Sequence, residues 1–297
     1  MKQPYRHLYP FQSRFMPING HRYHYVDEGR GPAVLMLHGN PTWSFYYRRL
    51  IAALAPGHRV IAPDHIGCGL SDKPGAQAYG YRLEDRVADL ETFIHRLVPD
   101  TPLTLVVHDW GGMIGMAFAL RHLNKIQRLV ITNTSGFLPP AGKPIPLRLR
   151  LLRNIPPFAG PAVLGLNIFA RAALVMAARR RLPRDVRRGL IAPYDRPKNR
   201  IATLRFVQDI PLSDGDPSFA LVKSVDDQLH RLRHLPMLIC WGKHDFVFDL
   251  DYFHEWQRRF PDAEAHLFED AGHYLLEDEP RAVTSTIQDF FHRHPIE

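Results

Sequence analysis

Leu103-Thr104-Leu105-Val106-Val107-His108-Asp109-Trp110-Gly111-Gly112-Met113-Ile114-Gly115-Met116-Ala117 decides the fold. The unbroken apolar and β-branched run before His108 predicts a buried parallel strand. The glycine-studded apolar run after Trp110 predicts a buried helix. The turn between them must be tight, because Gly111 and Gly112 lack a Cβ and let the two backbones close on each other. A corner of this kind lifts its apical side chain above the edge of a sheet. Here that side chain is the carboxylate of Asp109. Free N–H groups and the dipole at a helix N-terminus favour its ionised form, so as a nucleophile it would need no base. Aspartate is also a good N-cap residue, and on this segment alone nucleophile and helix cap stand as equal readings.

Upstream, the pattern predicts strands at Arg22–Val26, Ala33–Leu37 and Arg59–Pro63, with helices at Trp43–Leu54 and Leu83–Leu97; a strand at Arg128–Thr132 follows the corner. Such alternation argues for an α/β fold with a mostly parallel central sheet flanked by helices. From about residue 137 a proline-rich stretch, Leu138 to Pro146, breaks the alternation, and helices are expected as far as Val225. The pattern resumes with a strand at Pro236–Trp241, a helix at Tyr252–Phe260, a strand at Ala265–Phe268 and a closing helix at Arg281–Phe291. The expected organisation is a core of residues 1–136 and 226–297 with an inserted helical cap at 137–225.

With 297 residues, 45% of them hydrophobic, the chain can bury a large core. The first residues lead into no apolar signal segment, which favours the cytoplasm. Cys68 and Cys240 sit beside predicted buried strands and suit reduced core thiols rather than a disulfide. The net charge of +8 is uneven: residues 141–200 hold twelve Arg and two Lys against two Asp, a local +12 that leaves the remainder at −4. These arginines interleave with Leu, Ala and Pro and accompany no nucleic-acid motif, so no nucleic-acid partner is expected. They read as the solvated outer face of the cap, a face that would attract an anionic membrane surface or an acidic partner protein. Phe158–Ala178 is apolar, but its Pro161, Asn167 and Arg171 argue for a cap helix over a hydrophobic pocket rather than a membrane span. Gly67-Cys68-Gly69 lacks the spacing of a dinucleotide fingerprint and reads as a turn. The seventeen histidines form no grouping with metal-ligand character, so neither metal nor cofactor is expected.

Three further segments join the corner: His38-Gly39-Asn40-Pro41-Thr42-Trp43-Ser44, Cys240-Trp241-Gly242-Lys243-His244-Asp245-Phe246-Val247-Phe248, and Asp270-Ala271-Gly272-His273-Tyr274-Leu275-Leu276-Glu277-Asp278-Glu279-Pro280. Each puts a polar group at the carboxyl end of a predicted strand, where open α/β sheets gather their sites. Alone, Asp245 reads as a turn residue and His273 as a loop histidine. Together the four segments resemble the haloalkane dehalogenase branch of the α/β-hydrolases over nearly the whole chain, with Asp109, Asp245 and His273 in that fold's order. The resemblance implies that Asp109 is the nucleophile, that His273 activates water, that Asp245 fixes the histidine tautomer, and that Asn40 and Trp110 cradle the leaving group. A carboxylate attacking an sp³ carbon makes an ester that water can cleave, whereas a serine would leave an inert ether.

Departures narrow the resemblance. Ile131-Thr132-Asn133-Thr134-Ser135 holds no carboxylate where some relatives place their acid, leaving Asp245. Trp110 stands where fluoroacetate dehalogenases carry Arg, and Tyr194 is the only tyrosine between 137 and 225, which disfavours epoxide hydrolases. His108–Met116, Ala192–Asp195 and Asn199–Leu212 are similar to the third dehalogenase subfamily, which includes the OleB-type β-lactone decarboxylases of long-chain olefin biosynthesis. That resemblance implies a small hydrophobic substrate, a cis-3,4-dialkyl-β-lactone, released as CO2 and a cis-alkene, and a place in a multi-enzyme olefin-biosynthesis assembly. Hydrolysis of haloalkanes is the alternative. A catalytically silent receptor or scaffold is the second.

Overall fold

The computed structural model describes residues 5–140, 143, 147, 150, 153 and 160–296. Its centre is an eight-stranded sheet: β1 (Arg14–Ile18), β2 (His21–Glu28), β3 (Ala33–Leu37), β4 (Arg59–Pro63), β5 (Leu103–Asp109), β6 (Ile126–Thr134), β7 (Met237–Gly242) and β8 (Glu264–Phe268), in the order β1-β2-β4-β3-β5-β6-β7-β8. Pairings β1 with β2 and β2 with β4 are antiparallel, and the other five are parallel. Strand β1 is absent from the sequence-based expectation. It lies at the sheet edge, is mostly exposed and contains Pro17, so neither the alternation nor the apolar run that marks a strand is present.

The inner strands are buried on both faces, which is why they read as continuous apolar runs. Leu35 and Leu37 of β3, Leu105 and Val107 of β5, and Ile239 and Trp241 of β7 pack into one core, while Val34, Met36, Val106, Leu238 and Cys240 pack into the other. This is the two-residue period of a strand divided between two layers. Helices α1 (Arg48–Leu54), α2 (Leu83–Leu97) and α3 (Trp110–Arg121) follow in turn. The helix expected at Trp43–Leu54 begins as a 3₁₀ turn, Ser44–Tyr47, before α1.

Between β6 and β7 the described residues carry a π-helical turn, Gly160–Gly165, and helices α4 (Ile168–Met176), α5 (Arg184–Ile191), α6 (Ile201–Gln208) and α7 (Phe219–Gln228). Much of the proline-rich stretch, residues 141–142 and 144–146, and the first two residues of the apolar run, Phe158 and Ala159, lie outside the described residues. Among the described residues no helix is long and apolar enough to cross a membrane. The chain closes with α8 (Leu250–Arg259), the short α9 (Leu275–Asp278) and α10 (Pro280–Arg293).

The corner is built as tightly as its glycines suggest. A Cβ on Gly111 would collide with the backbone carbonyl of Leu37, and one on Gly112 with the Thr134 side chain and the Ser135 carbonyl. Because the Leu37 carbonyl belongs to the central sheet, it cannot yield cheaply. Gly111→Ala is therefore expected to lose about 1–3 kcal/mol, read as a lower urea midpoint. Gly75→Ala, where nothing lies within 4 Å, should change it little.

Candidate active site

Asp109 ends β5 with φ +53° and ψ −129°, a conformation that non-glycine residues rarely adopt. The β5–β6 register shifts between His108 and Asp109, and the Thr134 hydroxyl donates to the Asp109 carbonyl, so β6 holds the bend from one side. The carboxylate is held from the other. Its Oδ1 accepts the Asn40 backbone N–H at 2.6 Å, and the Trp110 backbone N–H also bonds to it. Gly39 permits this approach, since a Cβ there would run into the Asp109 side chain. Although Asp109 stands at the N-cap position of α3, its side chain makes no capping hydrogen bond.

His273 faces Asp109 across 3.6 Å, Nε2 to Oδ2. On its other side Nδ1 lies 2.7 Å from Asp245 Oδ2, so Nδ1 carries the proton and Nε2 is left toward Asp109. The acid itself is fully engaged: Asp245 Oδ1 accepts the N–H groups of Val247 at 2.7 Å and Phe248 at 3.0 Å, and Oδ2 accepts the Asn133 amide at 3.0 Å. All five residues expected from the sequence thus meet. Asn40, Asp109, Trp110 and His273 line one cavity, and Asp245 stands behind His273.

That cavity holds about 430 Å³ and is walled largely by apolar side chains, including Met113, Phe137, Phe169, Val207 and Phe248. No Lys or Arg occurs among its described lining residues. The Asn40 amide has two N–H donors. One is taken by the Thr203 carbonyl of α6 at 3.1 Å, which fixes the side chain and leaves one hydrogen for a ligand. The Trp110 ring packs against Phe206, also of α6, at 5.3 Å between centroids.

Burial dominates the electrostatics. It pushes the Asp109 carboxyl above its ordinary range, and the His273 charge with the Trp110 and Asn40 N–H groups only partly offsets this. The Trp110 N–H is legible at a helix N-terminus in the sequence, but the Asn40 N–H and the cost of desolvation are not. Burial opposes a charge on His273 too, but Asp245 and Asp109 together outweigh it and raise its pKa. His108, fully buried, is held neutral by burial and by the neighbouring His273 charge.

Three residues escaped the sequence reading of the site. Asn133 bridges β6 and β7: its Oδ1 accepts the Gly242 N–H at 2.8 Å while its amide donates to the Gly242 carbonyl and Asp245. His108 Nε2 donates to the His273 carbonyl at 2.8 Å, and Thr203 anchors Asn40. Both His108 and Asn133 lay in segments already singled out, but nothing in their spacing told which strand ends would be neighbours.

The alpha/beta hydrolase fold model matches residues 32–280. The chain belongs to the alpha/beta hydrolase fold family. The chain is 46% identical over 285 residues, 95% of its length and 89% of the relative's, to the cis-3-alkyl-4-alkyloxetan-2-one decarboxylase of Shewanella oneidensis. It is 32% identical to haloalkane dehalogenase 2 of Mycobacterium bovis over 96% of each chain. Among solved structures, the haloalkane dehalogenase DbeA of Bradyrhizobium elkani superposes with a TM-score of 0.85 at 25% identity, covering 95% of this chain and 98% of that one.

Removal of Asn133 strands the buried Gly242 N–H and deprives Asp245 of one donor. Asn133→Ala is expected to cost about 1–3 kcal/mol and to lower the thermal midpoint, measured by calorimetry; an unchanged midpoint would show that water replaces the amide without loss.

Proposed function

We propose that the protein is a cis-3-alkyl-4-alkyl-β-lactone decarboxylase that releases a cis-alkene and CO2, with Asp109 as nucleophile. The observation that carries this reading is a buried carboxylate on the floor of an apolar cavity with no described cationic lining, in a chain 46% identical to a protein of that name. Each methylene buried there contributes at most about 0.8 kcal/mol, so a substrate with two alkyl chains gains far more from this cavity than a small haloalkane does. The free, buried Cys68 and Cys240 fit a reducing compartment, and we place the protein in the cytoplasm.

The chemistry follows from the geometry. Asp109 Oδ2 attacks the ring carbon that carries the lactone oxygen, from the face opposite that oxygen. The C–O bond breaks with inversion and its electron pair leaves on the substrate's own carboxylate. The Trp110 indole N–H and the free Asn40 amide hydrogen receive this carboxylate, which has no guanidinium or ammonium among the described lining residues to hold it as a salt. Inversion sets the new ester oxygen anti to the bond bearing the carboxylate. That C–C bond then supplies the electrons of the double bond, CO2 departs, and the ester oxygen leaves as free Asp109. No water is consumed, and the anti geometry returns the cis-alkene.

Hydrolysis of haloalkanes is the second reading, favoured by the same Asp109, His273 and Asp245 arrangement and by the dehalogenase relatives. The two separate at His273, which is needed only where water must cleave the ester. With Asp109→Asn, alkene release should fall at least a thousandfold. His273→Ala is expected to retain substantial alkene release from a dialkyl β-lactone but to stall as an alkyl-enzyme with a bromoalkane, followed by gas chromatography and intact-protein mass. Complete loss of alkene release in a folded His273→Ala protein would contradict elimination and favour attack at the lactone carbonyl. A wild-type protein that turns over neither substrate would favour a receptor.

Only ionised Asp109 can attack, and burial raises its pKa. The acid limb of kcat/KM should therefore lie above the ordinary aspartate value of about 3.9. The His273 charge lowers the Asp109 pKa, so His273→Ala should move that limb to higher pH. A pH profile of alkene release in both proteins checks the sign.

A further inference from the structure

Seven large apolar side chains are exposed among the described residues, and six of them follow β6: Leu147, Leu166, Ile168, Val175, Leu212 and Phe246. They are not scattered. Ile168 and Phe246 also line the cavity, and Leu212 directly follows Ile210 and Pro211, which line it. Exposed apolar surface is therefore continuous with the cavity wall. Helix α4 forms part of that wall, turning Phe169, Ala172, Ala173 and Met176 inward. Val175 on the same helix is 77% exposed, and Leu166, just before it, is 64% exposed. Four residues apart, Arg171 and Val175 share one side of α4 and are both exposed.

The stretch of chain that carries this face, residues 141–200, holds a one-sided excess of charge. Of the excess cations in residues 141–200, Lys143, Arg153, Arg180, Arg188 and Arg196 meet carboxylates. The two Asp of the segment, Asp185 and Asp195, already face Arg188 at 3.6 Å and Arg196 at 3.8 Å. Arg171, Arg179, Arg181 and Arg184 are exposed with no carboxylate within ion-pair distance among the described residues.

We propose that the outer side of α4 and the adjoining Leu166 turn dock on the surface of an anionic lipid bilayer, so that apolar ligands pass between membrane and cavity. A bilayer satisfies both halves of the surface. Acyl chains cover Leu166 and Val175, and headgroup phosphates neutralise Arg171 beside them. An acidic protein would answer the charge but would close an apolar surface that runs on into the cavity. The docking does not depend on which bond Asp109 breaks.

Flotation of the full chain with vesicles tests it. The protein should float with vesicles of phosphatidylcholine mixed with phosphatidylglycerol at low salt, should float far less with phosphatidylcholine alone, and should be released as salt rises. Arg171→Ala should weaken binding about fivefold, the effect of one charge near the surface at ~1 kcal/mol, and the pair Leu166→Asp with Val175→Asp at least tenfold. Both variants should turn over a short-chain, water-soluble lactone as the parent does, which shows that they fold. Absence of flotation with the anionic vesicles, flotation indifferent to the variants, or equal flotation with neutral vesicles would overturn the proposal. So would a dimer, seen by sedimentation, that Val175→Asp dissociates, because the face would then belong to a second copy of the chain.

Discussion

The carboxylate of Asp109 is removed from water and yet must carry charge if it is to attack a substrate as proposed, and the residues around it answer that constraint. Two backbone N–H groups and the facing His273 are what favour the ionised form against burial. Each comes from a different strand end. Asn40 follows β3, Asp109 and Trp110 stand at the β5 corner, and His273 follows β8, so the charge is supported only where a parallel sheet brings these carboxyl ends to one edge. The glycines of the corner serve the same end, since any side chain at Gly39 or Gly111 would push the supporting backbone away.

Support spreads outward through His273 and Asp245 to their own hydrogen-bond partners. Asn133 and the Val247 and Phe248 N–H groups saturate Asp245, which can then hold the imidazole in one tautomer. His108 is kept neutral and fixes the backbone of His273 from below. The segment between β6 and β7 contributes as well: α6 holds the Asn40 amide through the Thr203 carbonyl and packs Phe206 on the Trp110 ring. The two side chains proposed to receive a departing anion are therefore both positioned by a helix that also lines the cavity through Val207.

Much of this was legible in the sequence because the chemistry imposes unusual local patterns. An apolar run into His108-Asp109-Trp110-Gly111-Gly112 marks a tight strand-to-helix corner, and β3, β4 and α2 match their expected limits because buried strands and an amphipathic helix have strong periodicity. What stayed hidden was decided by neighbours in space. β1 is an exposed edge strand whose pairing with β2 cannot be seen in its own residues. Asn133 looked like the absence of an acid, and only the pairing of β6 with β7 shows its amide supporting the acid next door. Asp109 reads from sequence as an anion favoured by its helix N-terminus, whereas burial, which depends on the whole fold, is the larger influence.

On a β-lactone, the proposed cycle ends by elimination from an Asp109 ester and not by its hydrolysis. Turnover of a dialkyl β-lactone in water enriched in heavy oxygen, followed by mass spectrometry of the Asp109 peptide, distinguishes the two. Under elimination the Asp109 carboxylate remains unlabelled after many turnovers while alkene accumulates. Heavy oxygen building up on Asp109 in step with alkene would contradict it.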